Sequence, residues 1–117
     1  MTNQETLKEQ INQYNSNGKK HGYWEEVWEF FLVTSKGHYE NGIENGYWEF
    51  FYPNGNLFSK GNIVNGVQNG LWVDYHNNGK VSAIGNKKFG LADGEWIYYD
   101  ENGDIKTIVN YEKGNVV

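Results

Sequence analysis

Apolar and polar positions alternate along this chain in short runs separated by breaks rich in Asn and Gly. Trp48-Glu49-Phe50-Phe51-Tyr52 is followed by Pro53-Asn54-Gly55-Asn56 and then by Leu57-Phe58-Ser59-Lys60-Gly61. Runs of this length around an Asn-Gly break predict two short antiparallel strands and a tight turn. The turn recurs at Asn78-Gly79 and Asn102-Gly103. A longer phrase recurs with it, as Gly22-Tyr23-Trp24, Gly46-Tyr47-Trp48, Gly70-Leu71-Trp72 and Gly94-Glu95-Trp96, each 24 residues after the last. Gly18, Gly42, Gly66, Gly90 and Gly114 keep the same step, and so do Gly37, Gly61 and Gly85, whose fourth place is Val109. A fixed period of this kind predicts one supersecondary unit stacked on copies of itself to build a shared core.

Taking Pro53 to Asn56 as the loop sets Tyr52 against Leu57, Phe50 against Ser59 and Trp48 against Gly61. The same count pairs Trp24 with Gly37, Trp72 with Gly85 and Trp96 with Val109. A large ring beside a glycine on the neighbouring strand covers bare backbone, so Trp48 is expected to be buried over Gly61. The intervening column supports this register, because Glu25 falls opposite Lys36, Glu49 opposite Lys60, Val73 opposite Ile84 and Ile97 opposite Ile108. Opposite charges and aliphatic pairs are what facing residues on neighbouring strands require.

These residues resemble MORN repeats (membrane occupation and recognition nexus), in the bacterial variant built on Gly-x-Trp, a tyrosine pair, Asn-Gly, a small hydrophobe and a glycine. Tyr98-Tyr99-Asp100-Glu101-Asn102-Gly103 is similar to that pattern, as is Phe51-Tyr52-Pro53-Asn54-Gly55. The resemblance covers residues 15–114. It implies an all-β fold, an antiparallel meander of about four stacked β-hairpin repeats forming an elongated twisted sheet, and many bacterial members are labelled antitoxin-like. A repeat scaffold does not by itself fix what it binds.

Residues 1–14 precede the repeats as a capping segment, leaving residues 15–117 as the repeat domain. Thr2-Asn3-Gln4-Glu5 fits a capping box, and Leu7, Ile11 and Tyr14 follow at helical spacing, so a short N-terminal helix is expected as the cap. A degenerate half-repeat strand over residues 10–14 is the competing reading. Either would cover an otherwise open sheet edge.

Composition narrows the chemistry. In 117 residues there are nine Tyr, six Phe and five Trp, while mean hydropathy is -0.80, so rings supply most of the apolar material. There is no cysteine, which excludes disulfides and thiolate metal sites. All ten cations are lysines, so no guanidinium is present to grip phosphate or carboxylate in two places, and the net charge of -5 disfavours anionic partners. Nucleic acid is therefore not expected as a ligand, and neither is membrane. The N-terminus has no basic or apolar leader and no apolar run approaches a membrane span, which together point to the cytoplasm.

Catalysis finds no constellation. His21, His38 and His76 sit in different repeat columns, no cofactor motif appears, and Asp100, Asn102 and Asp104 lack calcium-loop spacing. The first copy instead carries the departures. Where later copies place their turn residues it has Glu29-Phe30-Phe31-Leu32, and residues 25–49 hold Glu25, Glu26, Glu29, Glu40, Glu44 and Glu49 against Lys36 alone. Phe30, Phe31 and Leu32 either fold back on the N-terminal cap or form an exposed anchor for a partner. The acids either keep the surface solvated or steer a basic partner toward that anchor. A second face bearing Trp28, Phe50, Tyr52 and Tyr98 either stacks repeat on repeat or contributes to recognition.

The expectation is a noncatalytic module that binds and neutralises a basic protein, a toxin or nuclease acting on nucleic acid, through the acids and Phe30 or Phe31. That fits an antitoxin, an immunity protein or a phage inhibitor of host defence. The alternatives are a scaffold that self-assembles, or forms a homodimer, through its sheet edges, and a protein that sequesters a small ligand among its rings.

Overall fold

The computed structural model describes residues 11–29 and 32–117. The alternating runs form eleven strands: β1 (Gln13–Tyr14), β2 (Lys20–Trp28), β3 (Leu32–Glu40), β4 (Ile43–Glu44), β5 (Gly46–Phe51), β6 (Leu57–Val64), β7 (Val67–Tyr75), β8 (Val81–Lys88), β9 (Leu91–Tyr99), β10 (Ile105–Glu112) and β11 (Asn115–Val116). They make one antiparallel meander in the order β1-β2-β3-β5-β6-β7-β8-β9-β10-β11, with β4 beside β3. The sheet is elongated, 51 × 29 × 25 Å. Its two long edges differ in chemistry. Five-residue loops rich in Asn line one, and two-residue turns such as Asn41-Gly42 and Asn65-Gly66 line the other.

The expected register holds through the strand centres. Trp24 pairs with Gly37, Trp48 with Gly61, Trp72 with Gly85 and Trp96 with Val109. One row crosses eight strands as Glu25, Lys36, Glu49, Lys60, Val73, Ile84, Ile97 and Ile108. Nearer the loops the count fails by one. Leu57 faces Phe51, not Tyr52, because the loop takes in Tyr52 and Asn56, closed by a Tyr52 N–H to Asn56 C=O bond of 2.8 Å, and the register shifts before Ser59. An extra residue on one strand is a bulge, and it bends and twists the hairpin locally.

The core is built on the sheet itself. Trp48 and Trp72 are 1% exposed, Trp96 3% and Trp24 7%, and all four lie on the same face. The offset differs from expectation. The ring over Gly61 belongs to Trp72, that over Gly37 to Trp48 and that over Gly85 to Trp96, so each indole lies on the hairpin before its own. A Cβ on any of these glycines would fall within 2.7 Å of the indole. Each ring then donates its Nε1–H to a carbonyl one residue beyond the glycine it covers, Trp48 to His38 at 3.1 Å, Trp72 to Asn62 at 3.0 Å and Trp96 to Asn86 at 3.0 Å. The shift toward the preceding hairpin coincides with the glycine two places before each Trp, where the backbone takes positive φ (Gly70 at +81°) and the ladder breaks register. Phe50 stacks between Trp48 and Trp72 at centroid distances of 6.0 and 6.3 Å, and Tyr39 meets Trp48 edge-on at 5.0 Å. Offset and edge-on ring pairs are the arrangements the ring quadrupole favours.

The expected N-terminal helix is not what the described part of that segment forms. Gln13–Tyr14 is a strand paired with His21 and Lys20, and Asn12 has φ +55°, outside any right-handed helix. The backbone groups of β2 decide this, because a strand edge needs partners that a helix laid across it would not provide. Asn12 gives its own N–H to Tyr23 C=O, and its side-chain oxygen accepts from Glu25 N–H at 2.8 Å, so the carboxamide extends the ladder. Tyr14 packs edge-on against Trp24 at 5.1 Å, so residues 13 and 14 meet the first hairpin as a strand. Thr2 to Glu5 and Leu7 lie outside the described residues.

Candidate functional site

The loop edge is held by bonds that climb from one loop to the next. Tyr52 Oη donates to Tyr75 C=O at 2.6 Å, and one repeat later His76 Nε2 lies 2.9 Å from Tyr99 C=O. Asn54 and Asn56 donate to Asn77, and Asn78 to Glu101. Asp100 Oδ1 accepts the amides of Asn102 and Asp104 at 2.9 and 3.0 Å, so that carboxylate organises the fourth loop. Among the described residues no group of His, Asp or Glu could hold a metal ion.

The first hairpin breaks this pattern. Trp28 stands 24 residues before Tyr52, in the column that locks loop to loop, yet it is 64% exposed and its indole makes neither hydrogen bond nor ring contact with the described residues. Leu32 does not sit in the loop but pairs with Trp28 at the end of β3, and Leu32 and Val27 are 40% and 49% exposed. A cleft of about 170 Å³ opens alongside, walled by Leu32, Val33, Lys36, Phe51, Tyr52 and Pro53. Glu29 is exposed at the same tip. Phe30 and Phe31 lie outside the described residues. An indole held on a strand end beside Leu32 and largely exposed is the kind of anchor that dominates protein contacts.

The six acids are not gathered into one patch. Glu25 and Glu49 alternate with Lys36 and Lys60 in the row that crosses the face opposite the tryptophans. Glu26 lies on the tryptophan face, where it accepts from Lys20 Nζ at 2.6 Å and Tyr39 Oη at 3.0 Å. Glu40 and Glu44 stand near the tight-turn edge, and Glu40 accepts from Asn45. Only Glu29 accompanies the anchor. Phe50 and Tyr52 are occupied as well, Phe50 in the tryptophan stack and Tyr52 on Phe58 at 5.2 Å and in its loop bond. Of the expected contact residues, the described geometry brings together Trp28, Glu29 and Leu32. Val27, paired with Val33, is exposed on the opposite face of the same hairpin end.

Electrostatics on the tryptophan face follow from crowding. Burial, with the Glu26 hydrogen bond and charge behind it, raises the Tyr39 phenol far above its ordinary value. Burial raises the Glu44 carboxyl, and the Glu26 charge adds to this while Lys20 opposes it. Near the other end, burial and a 2.8 Å bond to Tyr111 push Tyr98 up to about 12. A carboxyl raised in the folded state stabilises the fold only while protonated, so its contribution is lost as pH rises from the unfolded value through the folded one. Glu44→Gln is therefore expected to raise the melting temperature at neutral pH, with the gain vanishing below about pH 4. Identical melting curves for the two proteins at every pH would contradict this reading of Glu44.

The MORN repeat variant family matches residues 44–65, 68–86 and 92–113. Those spans follow the second, third and fourth hairpins and leave out the first, where the exposed indole lies. No curated protein matches the chain.

Proposed function

As the chain belongs to the MORN repeat variant family, matched over more than half its length, we propose that it is a noncatalytic binding module whose contact surface is the loop end of its first hairpin. MORN repeats generally mediate protein or membrane-lipid contacts and are generally non-enzymatic. The observation that carries the reading is Trp28, 64% exposed in a column where Tyr52 and His76 are tied to the next loop. Leu32, paired with Trp28, widens the apolar contact, and Glu29 adds a charge at its rim. A rim charge steers a partner of opposite sign, whereas the indole supplies the affinity. The partner is a basic protein acting on nucleic acid, and the module neutralises it by covering its cationic surface, in the manner of an antitoxin, an immunity protein or a phage inhibitor. A net charge of -5 without arginine supports a protein over an anionic lipid surface.

Capture from host or prey lysate at low and high salt tests this. A basic nuclease or toxin retained at low salt and released at high salt is the expected result. Trp28→Ala with Leu32→Ala should abolish that capture while shifting the melting temperature by no more than a few degrees, since exposed side chains contribute little to folding. Capture undiminished by the double substitution would remove the first hairpin from the interface.

Self-assembly through continued sheet stacking is disfavoured by Val109. It occupies the place held by Gly37, Gly61 and Gly85, and a side chain there would obstruct an indole arriving from another copy.

A further inference from the structure

The tight-turn edge carries a second anomaly, at the edge opposite the first-hairpin tip and independent of it. Its turns place two consecutive residues at positive φ, which asks for Asn or Asp followed by Gly. Asn41 and Asn65 meet that demand at +50° and +49°, each ahead of a glycine. In the third and fourth turns the same position is Phe89, at +53°, and Lys113, at +51°, so of the four it is Phe89 that sets a ring there. A bulky side chain in this conformation is a genuine outlier. Phe89 is also 82% exposed and touches no other ring among the described residues, whereas Asn41 is tied to the preceding turn through Asn15 Nδ2 at 2.6 Å. The turn itself fixes this φ, as it does for Lys113, but a ring left in water gains nothing for its apolar surface unless it meets something.

Beside Phe89 lies a cavity of about 340 Å³ walled by Lys88, Phe89, Leu91, Asp93, Glu112 and Lys113. The two lysines and two acids cancel, so the surface selects neither a basic nor an acidic partner. A neutral patch with both signs at its rim and both an aromatic plug and an apolar recess at its centre matches a rotated copy of itself, as a two-fold interface requires. Ile43, Val67 and Leu91 extend it along the edge, each about half exposed and each beside the glycine of the next turn. We propose that the tight-turn edge is a self-association surface, on which two copies meet about a two-fold axis with the Phe89 ring of each seated in the cavity beside Leu91 of the other.

Sedimentation velocity over a wide concentration range tests this, with Phe89→Asn as the variant. Asn is what two other turns of this chain carry at the same φ, so the substitution should relieve strain and leave the melting temperature of the monomer equal or higher. The wild type is expected to pass from monomer to dimer as concentration rises, and Phe89→Asn to associate more than about tenfold more weakly. A wild type that stays monomeric throughout would overturn the proposal. So would a Phe89→Asn protein that dimerises as the wild type does, or a Phe89-dependent complex formed only with a different protein.

Discussion

Alanine in place of Gly61 is expected to lower the melting temperature by roughly 10 to 20 °C, a large effect for one added methyl group. The new Cβ would fall within 2.7 Å of the Trp72 indole at Cγ, Cδ2 and Cε2. The ring cannot yield cheaply, since it is 1% exposed, stacked against Phe50 and hydrogen-bonded to Asn62 C=O at 3.0 Å. Moving it opens a void on the far side and breaks that bond, costing about 3 kcal/mol. The dependence on Trp72 is itself measurable. In a Trp72→Ala background the added methyl has no indole to meet, so Gly61→Ala should lose most of its effect, and the double-mutant cycle should report strong coupling. Additive losses would show that the ring and the glycine are not in contact.

Trp48→Ala carries the second large effect, about 3 to 5 kcal/mol. This ring fills the space over Gly37, meets Tyr39 and Phe50, and donates to His38 C=O. Its loss removes contacts from two neighbouring hairpins at once, so the repeats on either side should lose cooperativity together. Equilibrium denaturation read by near-ultraviolet circular dichroism and by the remaining Trp fluorescence measures this. A loss below about 1 kcal/mol would contradict the burial of that ring. Trp28→Ala supplies the internal contrast, because an indole 64% exposed has little to lose on folding.

The register was legible because two columns encode it redundantly. Glycines set the phase, and the row from Glu25 and Lys36 to Ile97 and Ile108 fits only one pairing. Which neighbour each ring covers was harder to read, since Gly61 pairs with Trp48 on one side and Trp72 on the other, and a 24-residue period treats both alike. The deciding signal lay in Val109. It pairs with Trp96 and is not glycine, which is permitted only if a glycine answers to the tryptophan that follows it. No tryptophan follows Trp96 in this sequence. Helical spacing of Leu7, Ile11 and Tyr14 misled for a related reason, because three apolar residues cannot report the unpaired backbone of β2 that drew residues 13 and 14 into a strand.

The site was legible only in part. Counting charge over residues 25–49 produced an acidic region, yet successive strand residues face opposite sides of a sheet, and the count ignored Lys20 and Lys60. Glu25, Glu26 and Glu49 are consequently placed beside lysines rather than beside one another. The first hairpin did announce itself, through its missing turn residues. Phe89 could have been found in the same way, by setting it in one column with Asn41, Asn65 and Lys113, because a ring where the other copies carry polar residues signals a purpose other than turning the chain.

Photo-crosslinking from position 28 tests the central claim most directly. A photoreactive phenylalanine analogue would replace Trp28 in one preparation and Leu71, which is 56% exposed away from the first hairpin, in another. Each would be irradiated with the basic protein recovered from lysate. An adduct formed from position 28 and absent from position 71 is the result this account predicts. An adduct from position 71 with none from position 28 would place the partner elsewhere on the sheet and contradict it.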